Sequence, residues 1–188
     1  DENGRLWCDH HQEGVPSYGN GVKMAGCGLY LRELARDGAV SEEEESALLD
    51  AALYAVQAQD NGQKLEGLGL AGLPNPFSFV HVLNEGWEKG AYSPEQDEAF
   101  GKAVEMAVAI LENLLRDIRF KKKSGEWIRA AFEKREEGVI VLENGCPWQE
   151  TVVELNKELG KPAVTVCVCK TPRQWNVQVV PVEKGSFD

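Results

Sequence analysis

Asp9, His10 and His11 stand in a row near the start of a chain that has three histidines in all. Neutral imidazole and carboxylate are both good ligands for manganese, zinc or iron. A carboxylate beside a metal-bound imidazole also suits the task of orienting it. In such a site a second histidine stays free to donate a hydrogen bond to an anionic substrate. A plainer reading stands beside this one. Adjacent residues on a strand point to opposite faces, so His10 and His11 need not share a site. A His-His pair also occurs as a turn or surface feature.

The elements around the triplet decide whether it can work. Asn3-Gly4 is a turn signal, and Arg5-Leu6-Trp7-Cys8 reads as a short strand ending at Asp9. That places the polar residues at a sheet's carboxyl edge, where open α/β sheets bind ligands. A Gly/Pro/Ser/Asn loop covers Gly14 to Gly21. The pattern predicts a helix from Lys23 to about Asp37, stopped by Gly38. Gly26 and Gly28 in its first turns point to a close approach of the backbone to a neighbour or ligand.

Ser41 and Glu44 form a capping box. The helix behind it carries an apolar stripe of Leu48, Leu49, Ala52, Leu53 and Val56, and Asp60-Asn61-Gly62 stops it. A Gly/Pro-rich loop runs from Gln63 to Pro76, and the apolar stretch from Phe77 to Trp87 reads as helix, with His81 packed or at its surface. Ser93-Pro94-Glu95-Gln96 opens a long helix. Its expected buried side is Phe100, Val104, Ala107, Leu111, Leu114 and Ile118. A kink or break is expected at Lys121-Lys122-Lys123-Ser124-Gly125. Beyond Gly138 come a strand at Val139–Leu142, a helix from Trp148 to Leu159 closed by Gly160, and strands at Val164–Cys169 and Trp175–Val182. This is a small β-α-β-β lobe.

Composition fits an ordinary globular protein: 43% hydrophobic and 27% charged residues in 188. A net charge of -11 repels nucleic acid and anionic membranes at long range, so phosphate chemistry needs a local positive charge. No apolar run approaches the ~20 residues needed to span a bilayer, and the polar N-terminus does not resemble a secretion signal. Cys167 and Cys169 alternate in a strand and read as reduced packing thiols of a cytoplasmic protein; Cys8, Cys27 and Cys146 lack zinc-site spacing. Arg119, Lys121, Lys122 and Lys123 read as a solvated helix end, with a nucleic-acid backbone contact as the alternative. Lys170 and Arg173 flank a turn, and Trp148 and Trp175 read as core of the small lobe. There is no Walker loop, Gly-x-Ser-x-Gly elbow or His-Glu-x-x-His motif.

Asp9-His10-His11-Gln12, a Gly/Ser-rich loop and then Lys23-Met24-Ala25-Gly26-Cys27-Gly28 resemble the DHH phosphoesterase superfamily. The chain is more closely similar to the MYG family, melanocyte-proliferating-gene type proteins described as metal-dependent hydrolases or exonucleases. Ala58-Gln59-Asp60-Asn61-Gly62 resembles that family's Ile-Asp-Asn-Gly segment. Leu83-Asn84 with Trp87 resembles its Leu-Asn-Pro-x-Trp, although Glu85 replaces the proline. Cys146-Pro147-Trp148 and Arg173-Gln174-Trp175-Asn176-Val177-Gln178 resemble two later segments, in the family's order.

The resemblance implies an α/β protein: a DHH-like lobe at 1–118, with its sheet flanked by helices, and a linker helix plus small C-terminal lobe at 119–188. It implies a dinuclear site for Mn2+ (or Mg2+), with metals ~3.5–4 Å apart that activate water on a phosphodiester. By motif, His10 and Asp60 are metal ligands. Asp9 is a ligand or orients one, and His11 contacts the scissile phosphate and stabilises its developing charge. The superfamily's first two motifs precede Asp-His-His, and they are not in the eight residues before Asp9. The chain is therefore expected to begin just after the second motif. It would be part of a longer protein, a relative that has lost catalysis, or one half of a site completed by a partner chain. The expected activity is a metal-dependent phosphoesterase, with nuclease as the narrower class. The rival is a non-catalytic binding or scaffold module. The expected partner is a phosphodiester or nucleic acid, not a membrane, and a homo-oligomer is allowed.

Overall fold

The computed structural model describes residues 8, 11, 14–73, 75–79 and 93–183. They divide into two compact units, Asp1–Ile118 and Arg119–Asp188. The expected strand at Arg5–Cys8 lies outside the described residues except for Cys8, and so does most of the expected helix at Phe77–Trp87.

In the first unit, helix α1 spans Gly26–Arg36. It starts later than Lys23 because the residues before it are tied elsewhere. Ser17 and Lys23 form an isolated antiparallel bridge, and the Met24 amide donates to Pro16 O at 3.0 Å. Gly38, at φ +75°, ends it as the sequence suggests. Helix α2, Glu42–Leu48, opens on the expected capping box: the Glu44 amide donates to Ser41 Oγ at 3.2 Å, and the Ser41 amide to the Glu44 carboxylate at 2.9 Å. A π-turn follows at Leu49–Leu53, where the Tyr54 amide reaches back to Leu49 O. Helix α3 then runs Tyr54–Asp60.

The π-turn matters for what the helix buries. One extra residue in a turn rotates everything beyond it by about one position. The expected stripe ended at Val56, yet the fully buried residue there is Gln57, with Ala55 and Ala58 beside it. Leu31, Val40, Leu48, Leu49 and Leu53 form the unit's apolar cluster, with Leu114, Leu115 and Ile118 packed on it. The loop that follows carries short 3-10 turns at Leu65–Leu68 and Pro76–Phe79.

The long helix, α4, spans Pro94–Glu133, and the Gln96 amide donates to Ser93 Oγ at 3.2 Å at its start. Two expectations are corrected here. The helix does not break at Lys121–Gly125. The lysines are good helix formers, a single glycine costs only ~1 kcal/mol, and Ser124 turns its hydroxyl back to Lys121 O at 3.0 Å. The buried side is also rotated. Phe100, Val104 and Leu111 are exposed, while Ala103 is buried and Leu114 and Ile118 pack inward.

The second unit is the expected β-α-β-β arrangement: β1 Val139–Leu142, α5 Gln149–Glu158, β2 Val166–Lys170 and β3 Trp175–Val179. The sheet order is β1-β2-β3, with β1 parallel to β2 and β3 antiparallel to β2. Ile140, Leu142, Cys167 and Cys169 face inward onto Ile128, Phe132, Trp148 and Val152. Each such large apolar side chain contributes about 1.5–3 kcal/mol by leaving water. Asn156 ties α5 to the chain entering β2, donating to Val164 O at 2.8 Å and accepting from its amide at 2.9 Å.

Trp175 is not core. It is 48% exposed, pairs with Lys170 across the strands, and lies 5.4 Å from the Lys170 ammonium. Strand alternation puts it on the face away from Cys169, with Val177 and Val179, which are 70% and 76% exposed. The protein is thus mixed α/β. In the first unit the described residues are helices, turns and one isolated bridge, and no sheet is seen among them.

Candidate metal centre

Of the expected site residues, Asp9 and His10 lie outside the described residues. His11 is exposed on a bend. Asp60 is the last residue of α3 and is exposed. Its position has a local cause: Asn61 caps the helix and Gly62, at φ +65°, turns the chain away. A helix C-terminus carries partial negative charge, and the last turn of α3 holds no basic residue. Carboxylate and helix end thus place negative charge at the same point.

The start of α1 comes to this point. Cys27, in its first turn, has a thiol pushed above the ordinary range, first by desolvation and next by the Asp60 carboxylate. On the other side, a Cβ at Gly26 would stand 2.8 Å from the carbonyl oxygen of Cys8, the residue before Asp9. Gly26 is thus the close-approach position expected of it. Cys8 thus lies against Gly26, and Asn61, which follows Asp60, bonds Lys23 O just before α1. Among the described residues, however, no three His, Cys, Asp or Glu side chains are grouped to hold a metal. A carboxylate oxygen such as that of Asp60 is of the kind that Mn2+ and Mg2+ take as a ligand.

Sequence reasoning missed the amides that hold this neighbourhood together. Gln57 Oε1 accepts from the Ala25 amide at 3.1 Å and from the Tyr18 hydroxyl at 3.3 Å, while Nε2 donates to Leu53 O at 3.1 Å. Asn61 Nδ2 donates to Lys23 O at 3.1 Å and to Gln57 O at 2.9 Å. Gln63 accepts from the Lys23 amide at 2.8 Å and donates to Gly21 O at 3.0 Å. Burial raises the Tyr18 hydroxyl's pKa, and the Gln57 bond partly offsets that. The signal available in the sequence was a polar residue four positions after Leu53, on the apolar side of the helix.

In the second unit, Lys121 lines an open cavity of about 490 Å3 with Cys146, Trp148, Glu150, Glu154 and Gln178. Lys123 sits 5.5 Å over Trp127, and Lys170 is 3.7 Å from Glu143. Lys121 and Lys123 lie on α4 and Lys170 at the end of β2.

The family model MYG1_exonuc, described as "Uncharacterised protein family (UPF0160)", matches residues 2–188, so the chain belongs to that family. It is 25% identical over 210 aligned positions to the MYG1 protein YER156C of Saccharomyces cerevisiae, covering 95% of this chain and 62% of that protein. It is 32% identical to the MYG1 exonuclease of Rattus norvegicus and to that of Mus musculus, each over 149 positions covering 70% of this chain and 37% of the relative. The chain thus spans less than two thirds of the length of these relatives. No solved structure matches it. No helix among the described residues is long and apolar enough to cross a membrane.

Proposed function

We propose that this chain carries part of the catalytic apparatus of a metal-dependent phosphoesterase, a nuclease acting on phosphodiester bonds. The observation that supports the reading is that the residues at the start of α1 touch both Cys8, through Gly26, and Asn61, through Lys23 O. Cys8 leads into Asp9-His10-His11 in the sequence, and Asn61 follows Asp60. The rodent relatives' name, exonuclease, supports the substrate class.

In this reading His10, Asp60 and Asp9 hold a manganese or magnesium ion. When bound, the ion supplies an acidified water and charge stabilisation for a phosphoryl group. Asp60 contributes an anionic oxygen at the negative end of α3. Asp9 fixes the ring orientation of His10 through its second nitrogen. His11 donates a hydrogen bond to the phosphoryl oxygen on which charge develops. The amides of Gln57, Asn61 and Gln63 keep the Gly21–Ala25 loop against the Asp60 end of α3.

The test is a manganese titration followed by thermal unfolding. Binding to the native state raises the melting temperature in proportion to ln(1 + [L]/Kd). The rise should vanish in His10→Ala and in Asp60→Ala. Hydrolysis of a generic phosphodiester should then require manganese and Asp60. A melting temperature indifferent to manganese, with no turnover, leaves the non-catalytic binding module.

A further inference from the structure

We infer that the outer face of the β1-β2-β3 sheet is a docking surface for a second copy of this chain, with the two sheets packed face to face. The inference stands on the second unit and does not depend on the functional reading above. Helices α4 and α5 cover one side of this sheet, through Ile128, Phe132, Val152 and Leu155. The residues that alternate with that core point to the other side. Register sets them in two rows across the strands: Val139, Val166 and Val179, then Val141, Val168 and Val177. Lys170 and Trp175 follow as the rim. Val141 is 50% exposed, and Val177 and Val179 are more so. A sheet face that meets water carries polar residues at such positions, and a parallel pair such as β1 and β2 is ordinarily covered on both faces. Here both rows are valine throughout.

Charge, shape and area select a second copy as the occupant. The rows offer no charge or hydrogen bond for a polar partner to grip, and the rim lysine is engaged: Lys170 lies 3.7 Å from Glu143 and 5.4 Å from the Trp175 ring. The chain's net charge of -11 keeps copies apart over an ordinary acidic surface, whereas this neutral face lets them approach. A two-fold axis between the sheets lays the valine rows of one copy on those of the other, and aligned sheets pack ~10 Å apart with their side chains interdigitated. Valine has little side-chain freedom to lose on being held there. The exposed parts of the rows and of Trp175 amount to roughly 500 Å2. A pair of copies then buries about 1,000 Å2, the size at which specific interfaces begin. That supports a reversible dimer, and it leaves the outer edge of β3 open.

The experiment is analytical ultracentrifugation of the 188-residue chain over a dilution series. Wild type should sediment as a dimer when concentrated and come apart on dilution. Val177→Lys, on β3, and Val141→Lys, on β1, each put a charge inside the rows and should weaken the dimer by about thirty-fold or more, the loss expected at a central interface position. Val108→Lys is the control. It alters a comparably exposed valine on α4 and should leave the dimer within about two-fold of wild type. Melting curves of dilute samples report whether each variant folds. Should Val141→Lys not fold, Val141→Thr takes its place, with a weaker dimer expected. A wild type that is monomeric at every concentration overturns the inference. A Val141 variant that pairs like wild type while Val177→Lys does not also overturns it, because copies would then join along the border of β3 and not across the face. Equal loss in Val108→Lys overturns it too, because the association would then not belong to this face.

Discussion

Gln57 Oε1 occupies the place that a side chain on Gly28 would need: an added Cβ would stand 1.7 Å from it. One residue is on α3 and the other in the first turn of α1. The absence of a side chain at position 28 is what lets the carboxamide sit between Ala25, Tyr18 and Leu53.

Gly28→Ala should therefore destabilise the first unit by about 1–3 kcal/mol, the usual cost of overpacking. Part of the loss comes from forcing Gln57 off its partners, so the Ala25 amide should also exchange faster. Urea unfolding with hydrogen exchange reads both. An unchanged urea midpoint would show that the space at Gly28 is not filled as described.

Gly125 gives the opposite case. It lies inside α4, and a Cβ there would meet nothing within 4 Å. Gly125→Ala should stabilise the protein by about 0.5–1 kcal/mol, because alanine loses less backbone freedom on entering a helix. A higher thermal midpoint checks it. A lower one would mean that α4 bends at this point after all.

The thiols of the second unit should make stability fall in alkali. Cys146 is pushed to about 11 and Cys167 to about 12, each by burial first and then by neighbouring thiols. In the unfolded chain both ionise from about pH 8.5. Above that pH the unfolded state holds fewer protons than the native state, so unfolding becomes easier as pH rises. The decline should run from about pH 9 to the native values near 11 and 12. Urea midpoints measured from pH 7 to 11 should show it. The Cys146→Ala, Cys167→Ala double variant should show a shallower slope. Tyr18 and Tyr54, both raised by burial, leave a residual slope of the same sign.

Much of the fold was legible because local chemistry decided it. Ser41 with Glu44, Ser93 before Pro94 and Gly38 after α1 mark helix ends by side-chain bonds or a positive φ, and each does so in the structure. The alternation of Cys167 and Cys169 fixed one face of β2 in the same way. Trp175 was misassigned because its size suggested burial, whereas strand parity relative to Lys170 decides its face. Gln57 was missed for a different reason. A π-turn has no residue signature, and the single extra residue moved the buried stripe from Val56 to its neighbour. Asp60 stood out through its Asp-Asn-Gly context, whereas the bonds of its neighbours Gln57, Asn61 and Gln63 to residues 21–25 follow no spacing rule.

The strand β3 borders the sheet, and its outward residues are Trp175, Val177 and Val179. Among the described residues no strand pairs with its outer edge, and a greasy ribbon with an open hydrogen-bonding border is a template on which other extended chains can stack. Concentrated samples should cloud first through this ribbon, before any part of the molecule unfolds. A lysine at position 179 would be the economical way to keep such a sample clear.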